Sequence, residues 1–172
     1  MDNEFKLFRT MALPTQFLDY RLAPASALTP LEAAVGHMLL KELHTHVEAA
    51  YPGEGAGFLL GEERNGHRRV SAILKLPNAR EASARHNRFL LTPADYARGE
   101  DEADHLGLTL LGVFHSHPDC PNRPSEYDRE WAVPWFSYII SRVDGGAAVS
   151  DLSWRLAEDR VVYEEEKVLV NK

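Results

Sequence analysis

The chain has a single cysteine, Cys120, among 172 residues. No disulfide can form within it, which agrees with a reducing compartment and leads us to expect a cytoplasmic protein. Long apolar runs are missing too. Nothing approaches the roughly 18 residues of a membrane helix, and no basic start precedes a hydrophobic stretch, so neither a membrane span nor a signal peptide is expected. Positive charge is scarce, with 19 Lys and Arg against 26 Asp and Glu and a formal net charge of -7. That balance repels phosphate backbones and anionic lipid, and it argues against nucleic acid or a membrane surface as the main partner. There is no internal repeat, no low-complexity tract and no Pro/Gly linker. With 44% hydrophobic residues the chain can bury one real core, and one domain is expected.

What the sequence does have is concentrated between Gly112 and Asp128, G-V-F-H-S-H-P-D-C-P-N-R-P-S-E-Y-D. The preceding Leu108–Phe114 is an apolar run bounded by Gly107 and Pro118, which suits a strand buried on both faces. Strand side chains alternate, so Val113, His115 and His117 share one face and the two imidazoles stand together at the strand's C-terminal end. Two imidazoles and a carboxylate with an open fourth position form a donor set for catalytic zinc, and Asp128 is the third candidate ligand. Ser125-x-x-Asp128 also reads as a helix capping box that needs no metal. Spacing alone leaves both readings open.

Other segments are legible as elements. Thr29-Pro30-Leu31-Glu32 predicts a helix entry, and Val35, Leu39, Leu43, Val47 and Ala50 recur at three or four residues, giving a long first helix to about Ala50. His44 and His46 within it point about 200° apart and cannot chelate one ion, and His37 reads as surface. Gly57–Gly61 and Val70–Leu76 form a hairpin around Asn65-Gly66. Thr92-Pro93 opens a second helix that ends near His105 with Gly107 as the stop, and its acidic cluster from Glu100 to Asp104 reads as a solvated face. Glu126–Val133 is a third, short helix. Tyr138–Val143, Ala147–Val149, Leu152–Leu156 and Arg160–Val170 read as strands, and Phe17–Leu22 as the first one. Residues 1–16 are an extension expected to pack on the domain or on a second copy, so a homodimer is among the expected assemblies, and residues 17–172 form the domain.

His-x-His, seven residues, Ser, two residues, Asp is the signature of the JAMM (MPN-plus, Mov34/MPN/PAD-1) zinc metalloproteases, and the chain resembles their prokaryotic branch from about Phe17 to Trp154. The family's upstream glutamate is matched by Glu54 in Glu54-Gly55-Ala56-Gly57-Phe58-Leu59-Leu60-Gly61, and Asn87–Pro93 also resembles the family. Many relatives carry Cys where Ala56 stands, which reads as a packing difference. The resemblance implies an α/β fold, a single JAMM domain with a mixed curved β-sheet packed against a long N-terminal helix and two shorter helices, in a cytidine-deaminase-like architecture. It implies one Zn2+ per chain with a bound water, held by His115, His117 and Asp128. Glu54 would be the general base, and Ser125 would donate to the oxyanion, a contribution of about 3 kcal/mol. The implied substrate is the C-terminal tail of a ubiquitin-like protein, here of the sulfur-carrier type, with an activating enzyme of the same pathway as a further partner. Removal of ubiquitin-like conjugates in a bacterial defence or modification pathway is the alternative. The candidate edge for binding such a tail by strand addition is Ala84, Arg85, His86, Asn87 and Arg88, continuing to Leu90.

Three rivals can be weighed on residues. Zinc deaminases need His-x-Glu and Pro-Cys-x-x-Cys elements, which are lacking here. A Cys–His hydrolase would pair Cys120 with His117, but no orienting third residue is evident. A non-catalytic MPN scaffold would have lost the ligands, whereas every ligand position and Glu54 are filled.

Overall fold

The computed structural model describes residues 32–77 and 89–171. The expected strand at Phe17–Leu22, the helix entry at Thr29-Pro30, the candidate edge Ala84–Arg88 and the 1–16 extension lie outside them. The described elements run β1 (Glu32–Gly36), α1 (His37–Ala50), β2 (Ala56–Arg64), β3 (His67–Leu76), α2 (Pro93–Leu106), β4 (Thr109–Pro118), α3 (Glu126–Trp131), β5 (Ser137–Asp144), β6 (Ala147–Leu156) and β7 (Tyr163–Asn171).

Local chemistry sets most of these boundaries. Thr92 and Asp95 form a capping box at the start of α2, Pro93 takes its first turn, and Gly107 ends it at φ 66°. The β2–β3 hairpin turns on Asn65 and Gly66, both at positive φ as a two-residue turn of this hand requires. Gly99 lies inside α2 because a Cβ there would stand 2.8 Å from the Phe58 ring.

The strands close into a barrel in the order β1-β3-β2-β4-β5-β6-β7. β1 runs parallel to both β3 and β7, β4 runs parallel to β5, and the remaining pairs are antiparallel. Both faces of the sheet are buried. Phe58, Leu60, Val113 and Tyr138 pack with Ala103 of α2, while Leu59, Phe114, Ile139 and Val143 pack with Leu43 and Val47 of α1. Neighbouring residues on one strand thus enter opposite clusters, and β2 and β4 read as continuous apolar runs for that reason.

Three expectations are corrected. The sheet is not merely curved but closed. The first helix is shorter than expected, because Glu32–Gly36 is a strand pairing with β3 and β7, and pairing on both sides outweighs the helical propensity of Glu-Ala-Ala-Val. Val35 still joins Leu43 and Val47 in one cluster, so the apolar spacing was real while the single-helix reading was not. The other two helices are not both shorter, since α1 and α2 each have 14 residues. In addition, Phe89 and Leu90, the described end of the candidate edge, form no strand, and β6 is one strand where two pieces were expected.

Candidate metal centre

The site is assembled at the C-terminal end of β4, which lies between β2 and the parallel β5. Antiparallel pairing sets Ala56 opposite His115. The register continues one residue further, where the Ser116 N–H donates to Gly55 O at 3.0 Å. Glu54 is therefore next along, opposite His117, and residues directly opposite on an antiparallel pair share a face. A glutamate 61 to 63 residues upstream of two histidines is thus brought to their side of the sheet by strand register.

Asp128 arrives from α3. Ser125 caps this helix, its hydroxyl accepting from Asp128 N at 3.1 Å and donating to Asp128 Oδ2 at 2.7 Å, while Ser125 N donates to the same oxygen at 2.6 Å. The capping box is formed in full, and the same carboxylate joins the two histidines in a cluster that could hold a cation. His115 Nε2 stands 3.2 Å from His117 Nε2 and 3.4 Å from Asp128 Oδ1, and His117 Nε2 is 3.6 Å from Asp128 Oδ2. One ligand atom from each residue lies within 4.8 Å of the others, and all three residues are buried.

The hydrogen bonding selects which atoms can bind a cation. His117 Nδ1 lies 2.8 Å from Pro121 O, a pure acceptor, so Nδ1 carries a proton and Nε2 is the nitrogen turned toward His115 and Asp128, where it can bind a cation once deprotonated. His115 stacks against Phe89, with centroids 4.4 Å apart, and its Nδ1 finds no partner among the described residues. Burial lowers the His115 pKa to about 4 against the pull of Asp128, which keeps the imidazole neutral. His117 is raised although burial opposes it, through the Asp128 hydrogen bond, the Pro121 carbonyl and the charges of Asp128 and Glu54. Asp128 is held well below the usual carboxylate range: burial works against this, and His115, His117 and the Ser125 backbone and hydroxyl overcome it. Two imidazole Nε2 atoms and a carboxylate held anionic, converging within 4.8 Å, are a donor set that fits a divalent ion of the zinc type.

The structure brings Glu54, His115, His117, Ser125 and Asp128 to one end of the sheet. Cys120 is exposed and remote in role, because one nitrogen of His117 is committed to Pro121 and the other to the cluster. His44 and His46 diverge as their spacing predicts, His44 to Asp151 and His46 to Ala56 O. Ser116, between the two histidines, falls on the opposite face of the strand by alternation. It does face away, yet its Oγ accepts the Gly55 N–H at 3.0 Å, so it grips Gly55 from both sides and holds the backbone next to Glu54. The loop between His117 and Ser125 is tied down at Asp119, which accepts from Tyr51 OH and Gly145 N, and at Asn122, whose carbonyl accepts from Trp154 Nε1. No sequence spacing pointed to these ties, since they join segments far apart in the chain.

Comparison with known proteins now bears on the same residues. The family described as prokaryotic homologs of the JAB domain matches residues 37–157, which contain Glu54, both histidines, Ser125 and Asp128. The chain belongs to this prokaryotic JAMM/MPN family. Among similar proteins, a probable TtuB-protein conjugate cleaving protease of Thermus thermophilus is 32% identical over 110 residues, covering 62% of this chain and 68% of that protein. A desampylase of Pyrococcus furiosus is 33% identical over 86 residues, 48% of this chain and 56% of that protein. Tail tip assembly protein K of Escherichia phage N15 is 32% identical over 104 residues, 58% of this chain but 37% of that longer protein. The solution structure of a protein from Salinibacter ruber aligns with TM-score 0.64 and 38% identity over 81% of this chain and 92% of that one. A JAB1/MPN domain protein from Archaeoglobus fulgidus aligns with TM-score 0.50 and 20% identity over 79% of this chain and 98% of that one, a likeness of fold.

Proposed function

We propose that the chain is a zinc-dependent hydrolase that cleaves an amide bond joining the C-terminal tail of a ubiquitin-like protein of the sulfur-carrier type to its cargo. The observation that carries this is the convergence of His115, His117 and Asp128 within 4.8 Å, beside a buried glutamate set on the same sheet face by strand register. The names of two relatives, a conjugate cleaving protease and a desampylase, support conjugate removal over trimming of a free carrier. With all ligand positions and Glu54 filled, a non-catalytic scaffold is the weaker reading.

The chain's own residues would divide the work. When bound, the ion would supply Lewis acidity and lower the pKa of a coordinated water toward neutrality. Glu54 would accept the proton from the attacking water and later deliver it to the leaving amine. Ser125 would turn its hydroxyl from Asp128 toward the developing oxyanion, and the Ser125 N–H keeps hold of Asp128 Oδ2 while it does so. Residues 84–88 would receive the extended tail by strand addition.

The test is zinc content together with cleavage of a ubiquitin-like carrier joined through its C-terminal glycine to a lysine. The parent should retain about one zinc per chain and cleave, and Asp128→Ala should lose both. Glu54→Gln should keep the zinc and lose about 10²–10⁴-fold in turnover. A Gln variant as fast as the parent would remove Glu54 from the base role, and a parent with no zinc would return the chain to the scaffold reading.

A further inference from the structure

The third ligand sits on the least self-sufficient element of the fold. α3 has six residues, too few to be stable through its own hydrogen bonds, so its direction is set by what holds its two ends. The N-terminal end is held by Ser125 and Asp128 themselves. At the C-terminal end no glycine closes the helix, and Ala132, its cap, is extended. The terminal carbonyls are taken instead by one side chain from the β6–β7 connection. Arg160 Nη1 donates to Ala132 O at 2.7 Å, and Arg160 Nη2 donates to Glu130 O at 3.2 Å and Arg129 O at 3.3 Å. Arg129 Nη1 donates back to Arg160 O at 3.4 Å.

The backbone at Arg160 is a second, independent observation. Its φ is 61°, in the left-handed region that costs an L side chain energy and that glycine or asparagine occupies more cheaply. A turn there, closed by Arg160 N donating to Ala157 O at 2.9 Å, would be served better by glycine if the backbone were all that mattered. Strain of this kind persists where the surroundings require the side chain, and here they require a planar fork that meets three carbonyls and a positive charge at a helix C-terminus.

We propose that Arg160 is a positioning residue of the metal centre: by fixing the C-terminal end of α3 it fixes where Asp128 presents its carboxylate to His115 and His117. This rests on the metal-hydrolase reading above. Arg160 holds the carbonyls of Arg129, Glu130 and Ala132, just beyond Asp128, and it acts through the backbone of α3 rather than on the carboxylate itself.

The experiment measures zinc affinity by chelator competition, and the visible absorption of the cobalt(II)-loaded protein, in the full chain and in Arg160→Gly and Arg160→Lys. Glycine suits the local backbone, so the metal-free Arg160→Gly protein should unfold within about 4 °C of the parent. Its zinc affinity should fall about tenfold, the low end of what outer-shell changes cost, and its cobalt spectrum should shift. Lysine keeps the charge but not the fork, and should fall between the two. Zinc affinity within twofold of the parent in a folded glycine variant, with an unchanged cobalt spectrum, overturns the assignment. Should the glycine variant fail to fold, the lysine variant carries the comparison on the same terms: lowered affinity supports the role and parental affinity overturns it. Failure of the metal reading would show differently, as a parent protein that takes up no zinc, and the Arg160 role would fall with it.

Discussion

Ser116 carries no charge and is fully buried between two histidines whose side chains point to the other face of the strand. Its hydroxyl is the partner of Gly55 N, and the buried N–H has no solvent to turn to if that hydroxyl is removed. Ser116→Ala should therefore cost about 1–3 kcal/mol of stability, read as a fall of several degrees in the thermal midpoint. Zinc content should stay at the parental level while cleavage drops, because the residue next to Gly55 is Glu54. A lower midpoint with parental turnover would make Ser116 a packing residue and nothing more. The same neighbourhood shows what could be read in the sequence at this scale. His115, His117 and Asp128 were legible because strand alternation and short spacing bring them together. Ser125-x-x-Asp128 left two readings open because the physics of a cap and of an oriented ligand use the same hydrogen bonds. Glu54 was legible only through the family pattern, since its place depends on the register between β2 and β4, which no local spacing encodes.

α1 is joined to the sheet by packing and by a polar seam. His44 Nε2 meets Asp151 Oδ2 of β6 at 2.9 Å, the other Asp151 oxygen accepts from Ser141 Oγ at 2.6 Å, and Glu48 Oε1 accepts from Ala148 N. The Asp151 hydrogen bond raises the His44 pKa against the cost of its partial burial, with further help from the charges of Asp151 and Glu48. A histidine whose pKa is raised on folding contributes stability that is fully present below the unfolded value of about 6.5 and lost as pH rises through the folded value. His44→Gln should accordingly lower the thermal midpoint more at pH 5.5 than at pH 9, by about 2–4 °C if the pair contributes about 1 kcal/mol. A pH-independent difference would mean that the pair is held as a neutral hydrogen bond. Helix α2 was legible from end to end because Thr92, Pro93, Asp95 and Gly107 are each local signals. β1 was not, because Glu32-Ala33-Ala34 have high helical propensity and are made a strand by partners far away in the chain.

Among the described residues the seven strands pair on both sides around a closed ring, and the ring separates two tasks. β4 and its neighbours β2 and β5 carry the site, while β1 closes the ring on the far side, three strands from β4 in one direction and four in the other. Ala34 pairs with Arg69 on one side and Leu169 on the other, so a proline there removes a ladder hydrogen bond where no edge exists to tolerate it. Ala34→Pro should lower the thermal midpoint strongly. At temperatures below that midpoint, zinc per folded chain should remain at the parental value, because the proposed ligands His115, His117 and Asp128 are positioned by β4, its neighbours and α3. This separates closure of the barrel from assembly of the site. Retained zinc at a depressed midpoint would show the far wall serving stability alone. Loss of zinc from protein that is still folded would show instead that ring closure sets the β2–β4 register on which Glu54 and the two histidines meet.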